Sequence, residues 1–480
     1  MPEDDLPPRY RHRVLILVIC CLSLFIVTLD ATVTNVALPS IGRELHAGVA
    51  SLQWTLDAYT LTIASFLVLS GSSGDRFGRR RVFQIGLLIF GVGSILCSLA
   101  VSDGMLIASR VLQAVGGSML NPVSLSIVTN TFTDKRARAR ALGVWGAISG
   151  VSLGFGPVVG GLLVDTIGWR SIFWVNAPIV VAAIVLTALF VPESKSDRVR
   201  RFDPVGQLLV IVGLATIVFA IIEGPQFGWG SPLTIGAVVV GAAALVGFVP
   251  YELHRDDPLI DPRFFASIPF ASAIVAAVAA FGSWGAFLFT NTLALQDARG
   301  FSPVTTGLLF MPAGILILLT SPLSGRLVGT RGTRLPMTLS GLIVIVAAVL
   351  LTFTTATSPI LLILVIFALF GAGFGLVNAP ITNTAVSGMP NAQGGAAAAI
   401  TSTGRQIGTA LGIALAGSIT GASSGGKVGR SLVTDAHPLW WTIAVAGVAI
   451  VVLASVSNTD WAGRSSKRVA PLLAEPAPSR

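Results

Sequence analysis

The stretch GSSGDRFGRRR, residues 71–81, lies between two long apolar runs. Gly71 and Gly78 bracket an Asp75-Arg76 pair, and Arg79, Arg80 and Arg81 follow. Any short loop of a membrane protein collects Arg on its cytoplasmic side. That accounts for the basic residues and leaves the Asp and the glycine spacing unexplained. The stretch is therefore expected to be a tight cytoplasmic turn in which charge latches to neighbouring helix ends.

The composition around it agrees with a membrane setting. The chain has 53% hydrophobic and only 11% charged residues, with a mean hydropathy of +0.82; about a quarter of residues are charged in an ordinary soluble protein. A net charge of +9 would suggest nucleic acid in a soluble chain, but basic loops on one side are the norm in membrane proteins, and no nucleic-acid partner is expected. Cys20, Cys21 and Cys97 lie inside apolar runs, which argues against a disulfide framework or a Cys-rich metal site. The first apolar run starts at Val14 and passes twenty residues without an A-x-A cleavage site, so it reads as a retained span.

Segments apolar enough to cross ~30 Å of hydrocarbon, which takes about 20 residues, fall at 14–38, 53–72, 82–101, 105–130, 141–163, 171–192 and 204–223, then at 232–250, 270–294, 304–327, 335–355, 358–384, 396–420 and 438–457. Fourteen helices are expected. Of the 31 Lys and Arg, 24 then fall on the side of the N-terminus and 5 on the other, with Arg110 and Arg405 inside spans. That separation puts both termini in the cytoplasm.

The pattern G-x-x-x-D-R-x-G-R-R, matched here at Gly71, Asp75, Arg76, Gly78, Arg79 and Arg80, resembles the signature loop of the major facilitator superfamily of membrane transporters. A shift of 254 residues places Gly71, Gly78 and Arg80 on Gly325, Gly332 and Arg334, while Asp75 falls on Gly329 and Arg76 on Thr330. Parallel six-span repeats mark that fold. Two additional spans between the halves make the chain look like the fourteen-span drug:proton antiporter branch, to which multidrug efflux transporters belong. The expected fold is all-α, fourteen transmembrane helices as 6+2+6. The N-terminal bundle takes residues 1–192, linkers and the inserted pair 193–265, and the C-terminal bundle 266–457. The polar, Pro-containing tail 458–480 is expected to be disordered and cytoplasmic.

Four stretches carry candidate chemistry. The run GAISGVSLGFGPVVGG holds Gly146, Gly150 and Gly154 four apart, then Gly156-Pro157 and Gly160-Gly161. Glycines at i and i+4 allow close helix approach, and a Gly-Pro step loosens the helix. The run resembles the antiporter motif of the superfamily, and Gly404, Gly408 and Gly412 echo its face. In span one, LDATVTNVALPSI (29–41) resembles the acidic first-helix motif of the branch. Asp30 leads the candidates there because a carboxylate within a span is costly, and Thr34 lies one turn on. In span two, WTLDAYTL (54–61) supplies Asp57; in span four, SRVLQAVGG (109–117) resembles an R-x-x-Q-G-x-G motif, with Arg110 and Gln113 matching and Ala114 replacing a Gly.

By depth, Asp30, Asp57 and Arg110 all fall in the outer part of the N-terminal half. Arg110 cannot lose its proton, so it can neutralise one carboxylate and leave the other to take a proton. His12, His46, His254 and His437 lie in loops or at span ends, which leaves carboxylates as the proton carriers. In the second half, Gln296, Asn378 and Arg405, along with Asn291, Asn383 and Gln406, are polar residues of apolar helices. Interhelical hydrogen bonds and substrate contacts explain them equally well. GASSGGKV (421–428) approaches a phosphate-binding loop but has Val428 where a hydroxyl residue is required, and no H-E-x-x-H occurs.

The resemblance implies a proton-coupled antiporter that exports lipophilic, cationic or amphiphilic drugs across the cytoplasmic membrane by alternating access. It implies no enzymatic activity, no cofactor and no metal, with the proton gradient as driving force; the partners are the substrate, protons and the bilayer. The alternatives are a dedicated exporter of an endogenous metabolite or antibiotic, an importer of the same fold, and a non-transporting receptor or scaffold.

Overall fold

In hydrocarbon no water pairs with backbone groups, so an apolar run satisfies its N–H and C=O groups within its own helix. The computed structural model describes residues 12–195, 202–255, 257–390, 393–423 and 431–473, and no strand occurs among them. The chain forms α1 (Arg13–Leu45), α2 (Val49–Phe77), α3 (Arg79–Ser98), α4 (Asp103–Thr131), α5 (Lys135–Thr166), the short α6 (Ser171–Trp174) and α7 (Asn176–Phe190). It continues with α8 (Pro204–Phe227), α9 (Pro232–Leu253), α10 (Ile268–Leu293), α11 (Pro303–Arg331), α12 (Arg334–Leu351), α13 (Ile360–Val386), α14 (Gly394–Ser423), the short α15 (Leu432–Asp435), α16 (His437–Val456) and α17 (Asp460–Leu473).

With α6–α7 and α15–α16 each counted once, thirteen helices among the described residues are long and apolar enough to cross a membrane. The fourteenth is α14, whose 30 residues are more than long enough but are diluted by Gly, Ser, Thr and Arg405. Polar side chains start several helices by accepting from their free N–H groups: Ser102 from Met105, Asp134 from Ala137, Asp203 from Gly206 and Ser231 from Thr234.

Contacts divide the chain into two compact units, residues 1–202 with 301–311, and 203–300 with 312–480. In unit 1, α3 and α4 pack through small residues: a Cβ at Gly93 would stand 2.5 Å from the Gln113 backbone, and one at Gly86 would stand 3.1 Å from the Gly116 carbonyl. In unit 2, α10 and α14 meet along Gly282, Gly408 and Gly412, where a Cβ at Gly408 would stand 2.5 Å from the Val278 carbonyl. The inserted helices α8 and α9 pack on each other, and α8 also packs on α14. Their outer faces expose Leu208, Val239 and Val246, as surfaces turned to lipid do. Asp203, which starts α8, also accepts from the Tyr251 hydroxyl at 3.0 Å. Burial raises its carboxyl, but the Gly206 N–H, Glu252, Tyr251 and Arg255 outweigh that and hold it below the ordinary carboxylate range.

Two expectations about the chain's polar stretches are corrected. The 71–81 stretch is not a multi-residue turn: α2 continues through Phe77, α3 starts at Arg79, and only Gly78 leaves helical geometry, at φ 108° and ψ 129°. The Asp75–Arg79 pair, 2.7 Å apart, spans the break between the last turn of α2 and the first turn of α3. The positive φ favours glycine, and a side chain there would also meet Glu193 Oε1 at 2.6 Å. Glu193 accepts from the N–H groups of Arg80 (3.1 Å) and Arg81 (3.3 Å), an anion on the positive end of α3. The Arg80 guanidinium donates to the Ala188 carbonyl at 2.6 Å. The degraded copy keeps the same joint, since Gly332, φ 76°, separates α11 from α12.

The tail, in turn, contains a helix. Ala462, Ser466, Val469 and Leu473 form the buried stripe of α17, and Val469 and Leu473 join a cluster with Phe264, Phe270, Ala385 and Ile400. The Ser465 hydroxyl accepts from the Ile268 N–H at 3.0 Å, at the start of α10. Composition alone reads such a tail as disordered because its apolar residues are few; spaced at helical period, those few bury together. Residues 474–480 and most of the phosphate-loop near-match lie outside the described residues.

Candidate functional site in the first unit

The deepest polar cluster of unit 1 draws on five helices. Asp30 comes from the middle of α1, Arg110 and Gln113 from one face of α4, Ser94 from α3, Asn176 from the start of α7, and Tyr59 from α2. Asp30 is 1% exposed, Arg110 and Gln113 are 0%, and Asn176 is 1%. At this burial an unpaired ion would cost several kcal/mol, so the cluster's hydrogen bonds decide whether charge is tolerated.

They meet most of the demand, although Arg110 Nη2 and Asn176 Oδ1 have no hydrogen-bond partner among the described residues. Arg110 Nη1 makes a short ion pair with Asp30 Oδ2 and donates to Gln113 Oε1 at 2.8 Å. Its Nε donates to the Thr55 carbonyl at 3.2 Å. The guanidinium lies 4.0 Å from the centre of the Tyr59 ring and 5.7 Å from that of Phe173, faces that favour a cation. The other Asp30 oxygen accepts from Gln113 Nε2 at 2.8 Å and Asn176 Nδ2 at 3.1 Å. Ser94 Oγ accepts from both of those amides, at 3.3 and 3.0 Å. Sequence reasoning missed Asn176, Ser94 and Tyr59. Asn176 alone left a signal, an amide inside an otherwise apolar span.

Asp57 contrasts with Asp30. It is 0% exposed, and neither carboxyl oxygen has a hydrogen-bond partner among the described residues. One of the two expected carboxylates is therefore paired with Arg110 and the other is not. Thr34 donates to the carbonyl of Asp30 at 2.7 Å, so its hydroxyl is satisfied within α1.

The glycine run of α5 divides in two. A Cβ at Gly156 would collide with the Thr32 side chain, one at Gly160 would stand 2.9 Å from Val33 Cα, and one at Gly161 would press on Pro303, in the 301–311 stretch of the same unit. Gly154 is buried. At Gly146 and Gly150, in contrast, nothing lies within 4 Å of a Cβ among the described residues, so the expected close-approach face begins later than the i, i+4 spacing suggests. Pro157 follows at once, and its missing N–H leaves α5 free to bend beside Asp30's neighbours on α1. Gly156→Ala should therefore cost about 1–3 kcal/mol through overpacking and slow transport, whereas Gly150→Ala should melt like the wild type. Equal melting temperatures for the two variants would refute this division.

In unit 2 the candidates come from three elements. Gln296 is 5% exposed, in a π turn (Ala294–Ala298) that prolongs α10. Asn378 is exposed on α13. Arg405 on α14 donates to the Thr382 hydroxyl at 2.5 Å.

Residues 20–413 match the family model of the Major Facilitator Superfamily. The chain belongs to that superfamily. This facilitator is 39% identical to Multidrug resistance protein Stp of Mycobacterium tuberculosis, over 86% of this chain and 76% of that one. It is 35% identical to Puromycin resistance protein pur8 of Streptomyces alboniger, over 92% and 89%. It is 31% identical to the Tetracenomycin C resistance and export protein of Streptomyces glaucescens, over 82% and 73%. Among solved structures, an auto-inhibited POT family peptide transporter shares the fold, with a TM-score of 0.68 over 92% of this facilitator and 96% of that chain, at 17% identity. The facilitator is thus a multi-pass membrane protein of a transporter family.

Proposed function

We propose that this facilitator exports a lipophilic small molecule across the bacterial cytoplasmic membrane in exchange for protons, with both termini in the cytoplasm and neither cofactor nor enzymatic step. The observation that carries the reading is the division of labour in unit 1: Asp30 is held by Arg110, and Asp57 is equally buried with no hydrogen-bond partner among the described residues. A charge paired in this way can stay in the span. A carboxyl group with no partner among the described residues is accommodated most cheaply as the neutral acid, so Asp57 is the proton carrier, and release of its proton creates a second buried anion in unit 1. That charge, buried without a partner among the described residues, would favour a different arrangement of the helices.

The joint at Gly78 is the part that turns between states, with the Asp75–Arg79 pair and the Glu193 clasp on α3 holding one of them. The names of the relatives support export of drugs. Those named for a single antibiotic favour a second reading, a dedicated exporter of one metabolite. Two costly carboxylates in the spans speak against a mere receptor or scaffold.

The test is efflux of fluorescent lipophilic compounds from proteoliposomes with an imposed pH gradient. Gradient-driven movement that a protonophore abolishes is expected, and movement indifferent to the gradient would overturn antiport. A single moved compound among many favours the dedicated exporter. In the same assay Asp75→Asn should lower turnover and spare substrate binding; unchanged turnover removes the joint from the mechanism.

A further inference from the structure

Arg405 is a half-buried cation that the proton pathway does not use. It is the twelfth residue of the 30-residue α14, roughly 17 Å along the helix from its start at 1.5 Å per residue. Among the described residues no carboxylate lies within the 4.0 Å of an ion pair, in contrast to Arg110 with Asp30. Its contacts are the Thr382 hydroxyl and the Phe281 ring, 5.4 Å from the guanidinium to the ring centre. Among the described residues its Nε is buried with no hydrogen-bond partner. A hydroxyl and a ring face do not neutralise a guanidinium in a span, where charge is expensive.

The surroundings indicate what would. Phe281 meets Phe374 edge-on at 5.0 Å, and Trp284 stacks on Phe374 at 4.6 Å, so the cation lies at the end of an aromatic row. Phe281, Thr382 and Gln406 are half-buried, and Asn378, one turn before Thr382 on α13, is exposed. A guanidinium with a spare donor over a ring face, with an exposed amide one turn along α13 from its hydroxyl partner, matches a planar lipophilic body bearing an acidic oxygen. It repels a cationic amine.

We propose that Arg405 is the anion-binding point of the substrate site in unit 2, and that the exported compounds are aromatic or lipophilic organic acids, carboxylates or phenolates. This rests on the export reading and revises its expected cationic substrate. Phospholipid phosphate offers similar chemistry, but headgroups lie at the membrane surface and Arg405 lies deep in α14.

The test uses the full chain in phosphatidylcholine vesicles and two xanthene dyes of similar shape, anionic fluorescein and cationic rhodamine 123. The wild type should bind and move fluorescein in preference. Arg405→Gln should weaken fluorescein binding roughly 10- to 100-fold, the scale of losing charge-assisted hydrogen bonds, while Arg405→Lys keeps part of it. Unchanged fluorescein affinity in Arg405→Gln overturns the proposal, as does preferential binding of rhodamine 123. If Arg405→Gln does not accumulate, Phe281→Leu and Arg405→Lys decide: both should weaken fluorescein binding, and wild-type affinity in both overturns the site. Displacement of fluorescein by added phosphatidylglycerol assigns the site to a lipid headgroup and overturns the substrate assignment. Arg405-dependent binding of fluorescein without gradient-driven movement upholds this inference and removes antiport; gradient-driven movement of rhodamine 123 alone does the reverse.

Discussion

Arg110→Met should abolish transport and lower stability by about 3–5 kcal/mol, the cost of leaving one partner of a buried pair uncompensated. Asp30 would keep its hydrogen bonds from Gln113 and Asn176 but would retain a full charge at 1% exposure. Asp30→Asn strands the opposite charge, since Arg110 keeps only the carbonyls of Thr55 and Gln113 and the rings of Tyr59 and Phe173. The double variant Asp30→Asn/Arg110→Met leaves no ion in the cluster, so it should regain much of the lost stability while remaining inactive. Thermal unfolding of the purified wild type, both single variants and the double variant forms a double-mutant cycle. If the two single effects simply add, the ion pair is not coupled as the geometry indicates.

The second large effect lies eight residues into α2. Asp57→Asn removes a carboxyl group that makes no hydrogen bond among the described residues and puts a neutral amide of nearly the same shape in its place. Stability should hold or rise slightly, because no partner is stranded. Gradient-driven efflux should fall to that of protein-free vesicles, while exchange of substrate across the membrane with no gradient continues. The same variant should lose the pH dependence of substrate binding. Full gradient-driven efflux by Asp57→Asn would exclude Asp57 as the proton carrier and return that task to Asp30. Together the two experiments separate a residue that holds the cluster together from one that changes charge elsewhere in unit 1.

The contrast between those residues bears on what was legible in advance. Both carboxylates and Arg110 stood out from their span positions alone, because the cost of a charge in hydrocarbon depends on the residue and its depth. Which carboxylate Arg110 takes could not be read, since Asp30 and Asp57 lie 80 and 53 residues from it in the chain and only helix packing decides the distance. Asn176 and Ser94 stayed hidden for the same reason: an amide and a hydroxyl are common in spans, and they matter here because α3 and α7 bring them to Asp30.

The glycines divide along the same line. The positive φ at Gly78 and Gly332 follows from a repeat visible in the sequence, whereas the open space at Gly146 and Gly150 and the tight fit at Gly156 and Gly160 depend on where α1 passes α5. The tail shows the limit most clearly. A 14-residue helix such as α17 is marginal by itself in water, so a tail of that composition reads as disorder until Phe264, Phe270 and Ile400 supply the surface that holds it. The sequence by itself determined the spans, their number and the charged candidates, because apolar length and the cost of burying charge are local properties. Tertiary structure decided the pairing of Asp30, the isolation of Asp57 and of Arg405, and the docking of α17, because each depends on distances between helices remote in the chain.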